Sequence, residues 1–163
     1  MRIITFLFLM LSSLAFGQEW RATDGDFTAM MFLSDKPEEV YSAWNDGPAN
    51  KVKVSALPSI SNGKAFEAIV IFSGCAAEKN RNCNVVANWK IETLDGQNLG
   101  EVKEAPLWVN RKAPISGQLQ ISEKGVGVVA SKADKGYLIR VQVKDLISGR
   151  SVRLIQSTSV EST

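Results

Sequence analysis

The sequence predicts an all-β domain, a two-layer antiparallel sandwich with one short helix near its N-terminus. Three observations lead there. Apolar and polar residues alternate in about nine short runs, the period of a half-buried strand. Turn signals such as Asp95-Gly96 and Ser148-Gly149 separate runs from one another. One stretch, residues 34–48, carries its apolar residues at helical spacing instead.

The first seventeen residues are set aside from the fold. Met1-Arg2 is a short basic start, Ile3 to Leu14 is apolar but for Thr5, Ser12 and Ser13, and Ala15-Phe16-Gly17 offers small residues to a signal peptidase. Cleavage after Gly17 is expected, with cleavage after Ala15 as the close alternative. The apolar run is shorter than the roughly 20 residues of a membrane span. No Cys stands at the cleavage site to carry a lipid anchor. The expected location is periplasmic or secreted, with no integral membrane span after cleavage.

Residues 18–163 then make a single domain, long enough to bury a proper core. The whole chain has 19 Lys and Arg against 17 Asp and Glu, and Arg2 belongs to the excluded segment. So balanced a charge, without a basic stripe, points away from nucleic acid as a partner.

The strands follow in order. Phe27, Ala29, Met31 and Leu33 share one face, as do Val52, Val54 and Ala56. Phe66, Ala68, Val70 and Phe72 face one way while Ile69 and Ile71 face the other, which predicts a central strand covered on both sides. Val85, Ala87, Trp89 and Ile91 alternate next, before the Asp95-Gly96 turn. GEVKEAPLWV, QLQIS and a glycine-interrupted GVGVVA follow. Tyr137, Ile139, Val141 and Val143 make one face of the penultimate strand, and SVRLIQSTSV closes the chain, with Glu161 to Thr163 expected to fray. In the helical stretch Asp35 is placed to cap the start, with Glu38 three positions on and Pro37 in the first turn. Val40 and Trp44 stack one turn apart, and Asn45-Asp46-Gly47-Pro48 ends the helix.

Cys75 and Cys83 are the two cysteines of the chain. In an oxidising compartment they pair. If the runs they close and open are neighbouring antiparallel strands, the bridge clips a loop at one end of a sheet. A ring of this size stabilises by about 2.5 kcal/mol through loop closure. A zinc site would need four ligands, and the chain has two Cys and no His. The spacing is also not the Cys-x-x-Cys of a thioredoxin-type site. No metal and no cofactor is expected.

At residues 134–160 the chain resembles the closing hairpin of an immunoglobulin-like domain. Asp134, Gly136 and Tyr137 look like a tyrosine corner, where the Tyr hydroxyl bonds back to nearby backbone. Trp89 resembles the buried Trp of the third strand. The resemblance, over roughly residues 50–160, is to bacterial immunoglobulin-like β-sandwich domains. It departs from antibody domains in its disulfide, which there joins the two sheets. The segments EEVYSAW, FSGC…C, LDG and GYLIRVQVKD also resemble a group of exported bacterial proteins. Both resemblances imply architecture and compartment, and neither implies an activity.

Chemistry is sparse. Without His the usual general base near neutral pH is missing, and no Ser-His-Asp or Cys-His arrangement can form. Carboxylate pairs remain, with Glu38 and Glu39, or Asp24 and Asp26, as candidates. The first pair suits a helix start and the second a turn. Gly125 and Gly127 fall in a strand pattern, where a bulge is the expectation. No catalytic residue is assigned. The candidate binding surface comprises Tyr41 and Trp44 on the helix, Trp108 in APLWVN, and Arg81 at the tip of the disulfide loop. The default role of Trp44 is to pack its helix across an open end of the sandwich. Two functions are carried forward. One is an exported non-enzymatic binding or accessory module contacting another exported protein, through a patch or an open strand edge. The other is a small carbohydrate-binding domain or carboxylate-dependent hydrolase, which requires a cleft with Trp108 or Trp44 at its wall.

Overall fold

The computed structural model describes residues 19–46, 56–131 and 133–161. The expected leader at 1–17 lies outside these residues, and so do Val52 and Val54 of one expected strand. Ten strands and one helix follow in chain order: β1 (Arg21–Asp24), β2 (Phe27–Ser34), α1 (Pro37–Asn45), β3 (Ser59–Ser61), β4 (Ala65–Ser73), β5 (Asn82–Thr93), β6 (Asn98–Lys112), β7 (Gln120–Ile121), β8 (Val126–Val129), β9 (Gly136–Asp145) and β10 (Ser151–Glu161). Among the described residues the chain is all-β with one short helix, as its alternating pattern dictates.

The strands form two five-stranded sheets. In the first, β1 pairs β2 and β2 pairs β4, while β7 and β8 share the far edge of β4. The second runs β3-β10-β9-β5-β6. Every pairing is antiparallel except β3 with β10, which is parallel. That pairing departs from the wholly antiparallel expectation. It also removes the expected fraying at Glu161, which pairs with Ser61 and accepts hydrogen bonds from the Ser59 and Ser61 hydroxyls at 2.8 and 2.9 Å.

One cluster of buried side chains draws on both sheets. Phe27, Ala29 and Met31 of β2 and Phe66, Ala68, Val70 and Phe72 of β4 meet Val85, Ala87 and Trp89 of β5 and Tyr137, Ile139, Val141 and Val143 of β9. These are the inward faces read from the period-two pattern. A second cluster covers the opposite face of the first sheet. There Phe32, Ile69, Ile71 and Ile121 lie under Val40, Tyr41 and Trp44 of α1. So β4 is buried on both sides, and Trp44 packs its helix on a sheet face rather than across an open end. A helix this short holds its shape through that contact. Its cap also differs from expectation: Lys36 is the N-cap, without a side-chain cap, and Asp35 stands one residue before the capping position. The Ser34 hydroxyl accepts the Lys36 N–H instead, at 3.1 Å.

Cys75 and Cys83 are bonded, with Cα atoms 6.1 Å apart. Their strands are not neighbours, because β4 belongs to the first sheet and β5 to the second. The bridge therefore ties the rim of one sheet to the other, correcting the expected clip between paired strands. Alternation reveals strands but not which sheet each one joins.

Tyr137 is buried, donates from its hydroxyl to Asp134 Oδ2 at 2.6 Å and accepts the Ser131 N–H at 2.7 Å. Burial, then the Asp134 contact, raises its pKa above the ordinary tyrosine value. Gly136 has φ +153°, and a Cβ there would stand 2.3 Å from the Thr158 carbonyl oxygen, so no larger residue fits.

Candidate functional site

The site is built on the outward side chain of β4 that breaks its apolar run. Glu67 lies among Phe66, Ala68 and Ile69, and the pleat turns it toward α1. The Tyr41 hydroxyl donates to Glu67 Oε1 at 2.7 Å, and the Gly125 N–H reaches the same oxygen at 2.8 Å. Gly125 is required by that approach: a Cβ there would meet the Ala68 carbonyl oxygen at 2.1 Å and Glu67 Oε1 at 2.6 Å. Burial, followed by the Glu67 contact, pushes the Tyr41 hydroxyl far above its ordinary pKa, with the neighbouring Ser122 hydroxyl pulling slightly the other way.

Gly125 ends the four-residue break between β7 and β8, where a bulge within one strand was expected. Between the pairs Ile71↔Ile121 and Ala68↔Val126, β4 has two residues, 69 and 70, and the edge strand has four, 122–125. The surplus carries Glu123 outward. Its N–H donates to the Leu107 carbonyl of β6 at 3.2 Å, and its carboxylate pairs with Arg111. The Arg111 guanidinium stands 5.1 Å over the Trp108 ring. Phe72 meets that ring nearly edge-on at 6.4 Å, and the indole N–H donates to the Lys112 carbonyl at 3.0 Å.

Between α1 and β6 these groups line a groove of about 630 Å³, with Glu38, Tyr41 and Asn45 on the helix side and Trp108 and Arg111 on the strand side. It offers oriented hydrogen-bonding groups beside an aromatic wall. Glu67 and Glu123 already accept bonds from protein donors.

The structure gathers some expected residues and scatters others. Tyr41, Trp108 and Glu38 share the groove. Trp44 lies beneath the helix in the outer apolar cluster. Arg81 has φ +67° at the exposed loop tip and lines a separate hollow with Asn80 and Ile115. Glu39 pairs with Lys36 at 3.0 Å, so the Glu38–Glu39 pair does not converge. Asp24 accepts the Ser151 N–H at 3.0 Å and Asp26 pairs with Arg150 at 3.3 Å, at the turn between β1 and β2. Glu67, Arg111 and Glu123 are missing from the sequence-derived set. Glu67 had a signal, as the sole charge in AFEAIVIF. Arg111 and Glu123 had none, since only the approach of the two sheets brings them together.

A second candidate surface is the edge of the second sheet. β6 has 15 residues and β5 as its one sheet neighbour, and it exposes Leu99, Val102 and Val109. Its register shifts repeatedly against β5. Glu104 and Asn110 take φ +51° and +54°, with their N–H groups held by the side-chain oxygens of Asn88 and Asn84 at 2.8 and 2.6 Å. These bulges break a long edge into shorter lengths.

No family model matches the chain, and no curated protein matches it. Among solved structures it is similar to a superoxide reductase (neelaredoxin) from Ignicoccus hospitalis, at 14% identity and TM-score 0.38, covering 67% of this chain and 79% of that one. It is also similar to a family 123 glycoside hydrolase from Clostridium perfringens, at 12% identity and TM-score 0.39, covering 85% of this chain and 28% of that one. At these scores neither likeness carries chemistry over to this chain.

Proposed function

We propose that the chain is an exported immunoglobulin-like β-sandwich that serves as a binding or accessory module for another exported protein. The observation that carries this reading is β6, a fifteen-residue strand on a sheet edge with Leu99, Val102 and Val109 exposed. A sheet edge with protruding apolar side chains suits strand addition, in a segment short enough to lie between the bulges and away from Leu107, whose carbonyl accepts the Glu123 N–H. Export is supported by the leader-like start and by the disulfide. Among the described residues no helix is long and apolar enough to cross a membrane. The immunoglobulin-like reading is supported by the buried Trp89 and by the Tyr137 hydroxyl bonded to the Ser131 backbone.

The test is capture from envelope extract on the immobilised chain, beside a Leu99→Lys, Val102→Lys variant. A partner retained by the parent and lost by the variant supports the reading. Equal retention, or capture of nothing, overturns it.

The groove favours a second reading, a small carbohydrate-binding domain or carboxylate-dependent hydrolase, because Trp108, Glu38 and Glu67 line one cleft. It predicts cleavage or retention of neutral oligosaccharides that Glu67→Gln abolishes. Activity unaffected by that change excludes the groove.

A further inference from the structure

The outer face of the second sheet is a different surface from both the groove and the β6 edge. We infer that it binds an acidic glycan, a chain of sugar rings carrying carboxylates, laid across the strands. Strand register puts Arg153 of β10, Gln142 of β9 and Asn88 of β5 directly opposite one another. Val152, Leu154, Val141, Val143, Ala87 and Trp89 fill the core, so these three alternate residues point away from it. At about 4.8 Å per strand, the row spans roughly 10 Å. A hollow of about 300 Å³ follows it, and Ile155, Arg140, Lys90, Lys103 and the acidic Glu101 also line it.

The chemistry of the row selects the ligand. Arg153, Lys103 and the neighbouring Lys144 have no ion pair among the described residues. Arg140 and Lys90 sit opposite each other and share Glu92, at 2.8 Å each. With Lys90, Lys103, Arg140 and Arg153 set against Glu92 and Glu101, the face keeps an excess of positive charge on a chain that is nearly neutral overall. A guanidinium suits a carboxylate in its own plane. Between the cations stand two carboxamides, which suit hydroxyls rather than charges. Asn88 Oδ1 is committed to the Glu104 N–H, which fixes the amide and leaves its NH₂ as the free donor. Half-buried Ile155 adds an apolar floor for the C–H face of a ring. Cations flanking amides over an apolar floor match a ring bearing both hydroxyls and a carboxylate. A lipid surface would use the cations alone and leave the Asn88 NH₂ and the Gln142 carbonyl oxygen unused, the other end of each amide being bonded within the protein.

The experiment is calorimetric titration of the folded, disulfide-bonded chain with an oligogalacturonate, its methyl ester, and vesicles containing phosphatidylglycerol. The acid form is expected to bind, with the ester weaker by about tenfold or more, since a hydrogen bond to a charged group is worth about that much. Arg153→Glu is expected to weaken binding by a similar factor. Gln142→Ala, which alters no charge, is expected to weaken it several-fold. Thermal unfolding monitors the fold of each variant. Equal binding of acid and ester overturns the inference, as does insensitivity to Gln142→Ala, which would leave only diffuse electrostatics. Binding to vesicles without binding to the oligosaccharide would assign the face to lipid and also overturn it. The Leu99→Lys, Val102→Lys variant should bind the oligosaccharide unchanged, so loss of protein capture and loss of glycan binding are separable.

Discussion

The carboxylate of Asp145, at the end of β9, accepts the backbone N–H of Ala76, next to the disulfide, at 2.8 Å. Asp145 is wholly buried and also accepts the Ile147 N–H at 3.1 Å and the Ser148 hydroxyl at 2.5 Å. One side chain thus organises the β9–β10 turn and fastens the loop that leaves the first sheet.

Asp145→Ala should be costly. It strands two backbone donors and opens space at a buried position, a loss on the order of 3 kcal/mol. Asp145→Asn, which keeps one acceptor oxygen, should lose less. Urea unfolding followed by tryptophan fluorescence measures both. A change under about 0.5 kcal/mol for the alanine variant would show that the carboxylate does not hold the turn.

The disulfide should contribute about 2.5 kcal/mol, so the Cys75→Ala, Cys83→Ala pair should unfold at correspondingly lower urea. Natively purified protein should give no thiol titre under denaturing conditions. A full titre of two thiols would mean the bridge does not form.

Both tyrosines of the chain, Tyr41 and Tyr137, hold their protons more tightly folded than free. Above about pH 10 the unfolded chain ionises them while the folded chain does not. The unfolded state then binds fewer protons, and stability falls as pH rises. Below that pH their contribution is fully present. Ultraviolet titration should show no phenolate in the ordinary tyrosine range until the fold gives way, followed by a cooperative step. Tyr41→Phe should reduce that alkaline loss and cost about 1 kcal/mol at neutral pH. Smooth ionisation near pH 10 in the folded state would refute both burials.

Glu92 is held below the ordinary carboxylate pKa, first by Lys90 and then by Arg140. Its contribution is present above the unfolded value and fades as pH falls through the lower, folded one. Glu92→Gln should leave Lys90 and Arg140 repelling each other across β5 and β9, at about 0.5–1 kcal/mol near pH 7. The difference from the parent should close at low pH and shrink in high salt. A difference that persists in acid would point to packing instead.

Much of this architecture is legible in particular residues. Ile69 and Ile71, alternating against Val70 and Phe72, announce a strand covered on both faces, and the Val40 and Trp44 spacing announces the helix that covers one of them. The glycine-interrupted run reads as one strand with a bulge, whereas Gly125 lies in the four-residue break between β7 and β8 and only Gly127 is in a strand. The groove was only half visible. Tyr41 and Trp108 are conspicuous aromatics, whereas Arg111 and Glu123 look like ordinary surface charges until β6 and the edge strand meet.

By itself the sequence determined what depends on short range: most of the long strands and the helix, which side of those strands is apolar, that Tyr137 stands at the start of the penultimate strand behind Asp134 and Gly136, and that two cysteines stand ready to pair; the short β1 and β3 carry no such pattern. Only the tertiary structure decided which strands are partners. It sent β4 and β5 to different sheets, made the disulfide a tie between them, set β3 parallel to β10, and placed Arg153, Gln142 and Asn88 in one row. The reason is that the pleat reports burial with a period of two residues, the same for any neighbour. Partner choice depends instead on how all the inward faces fill one shared core, which no single segment encodes.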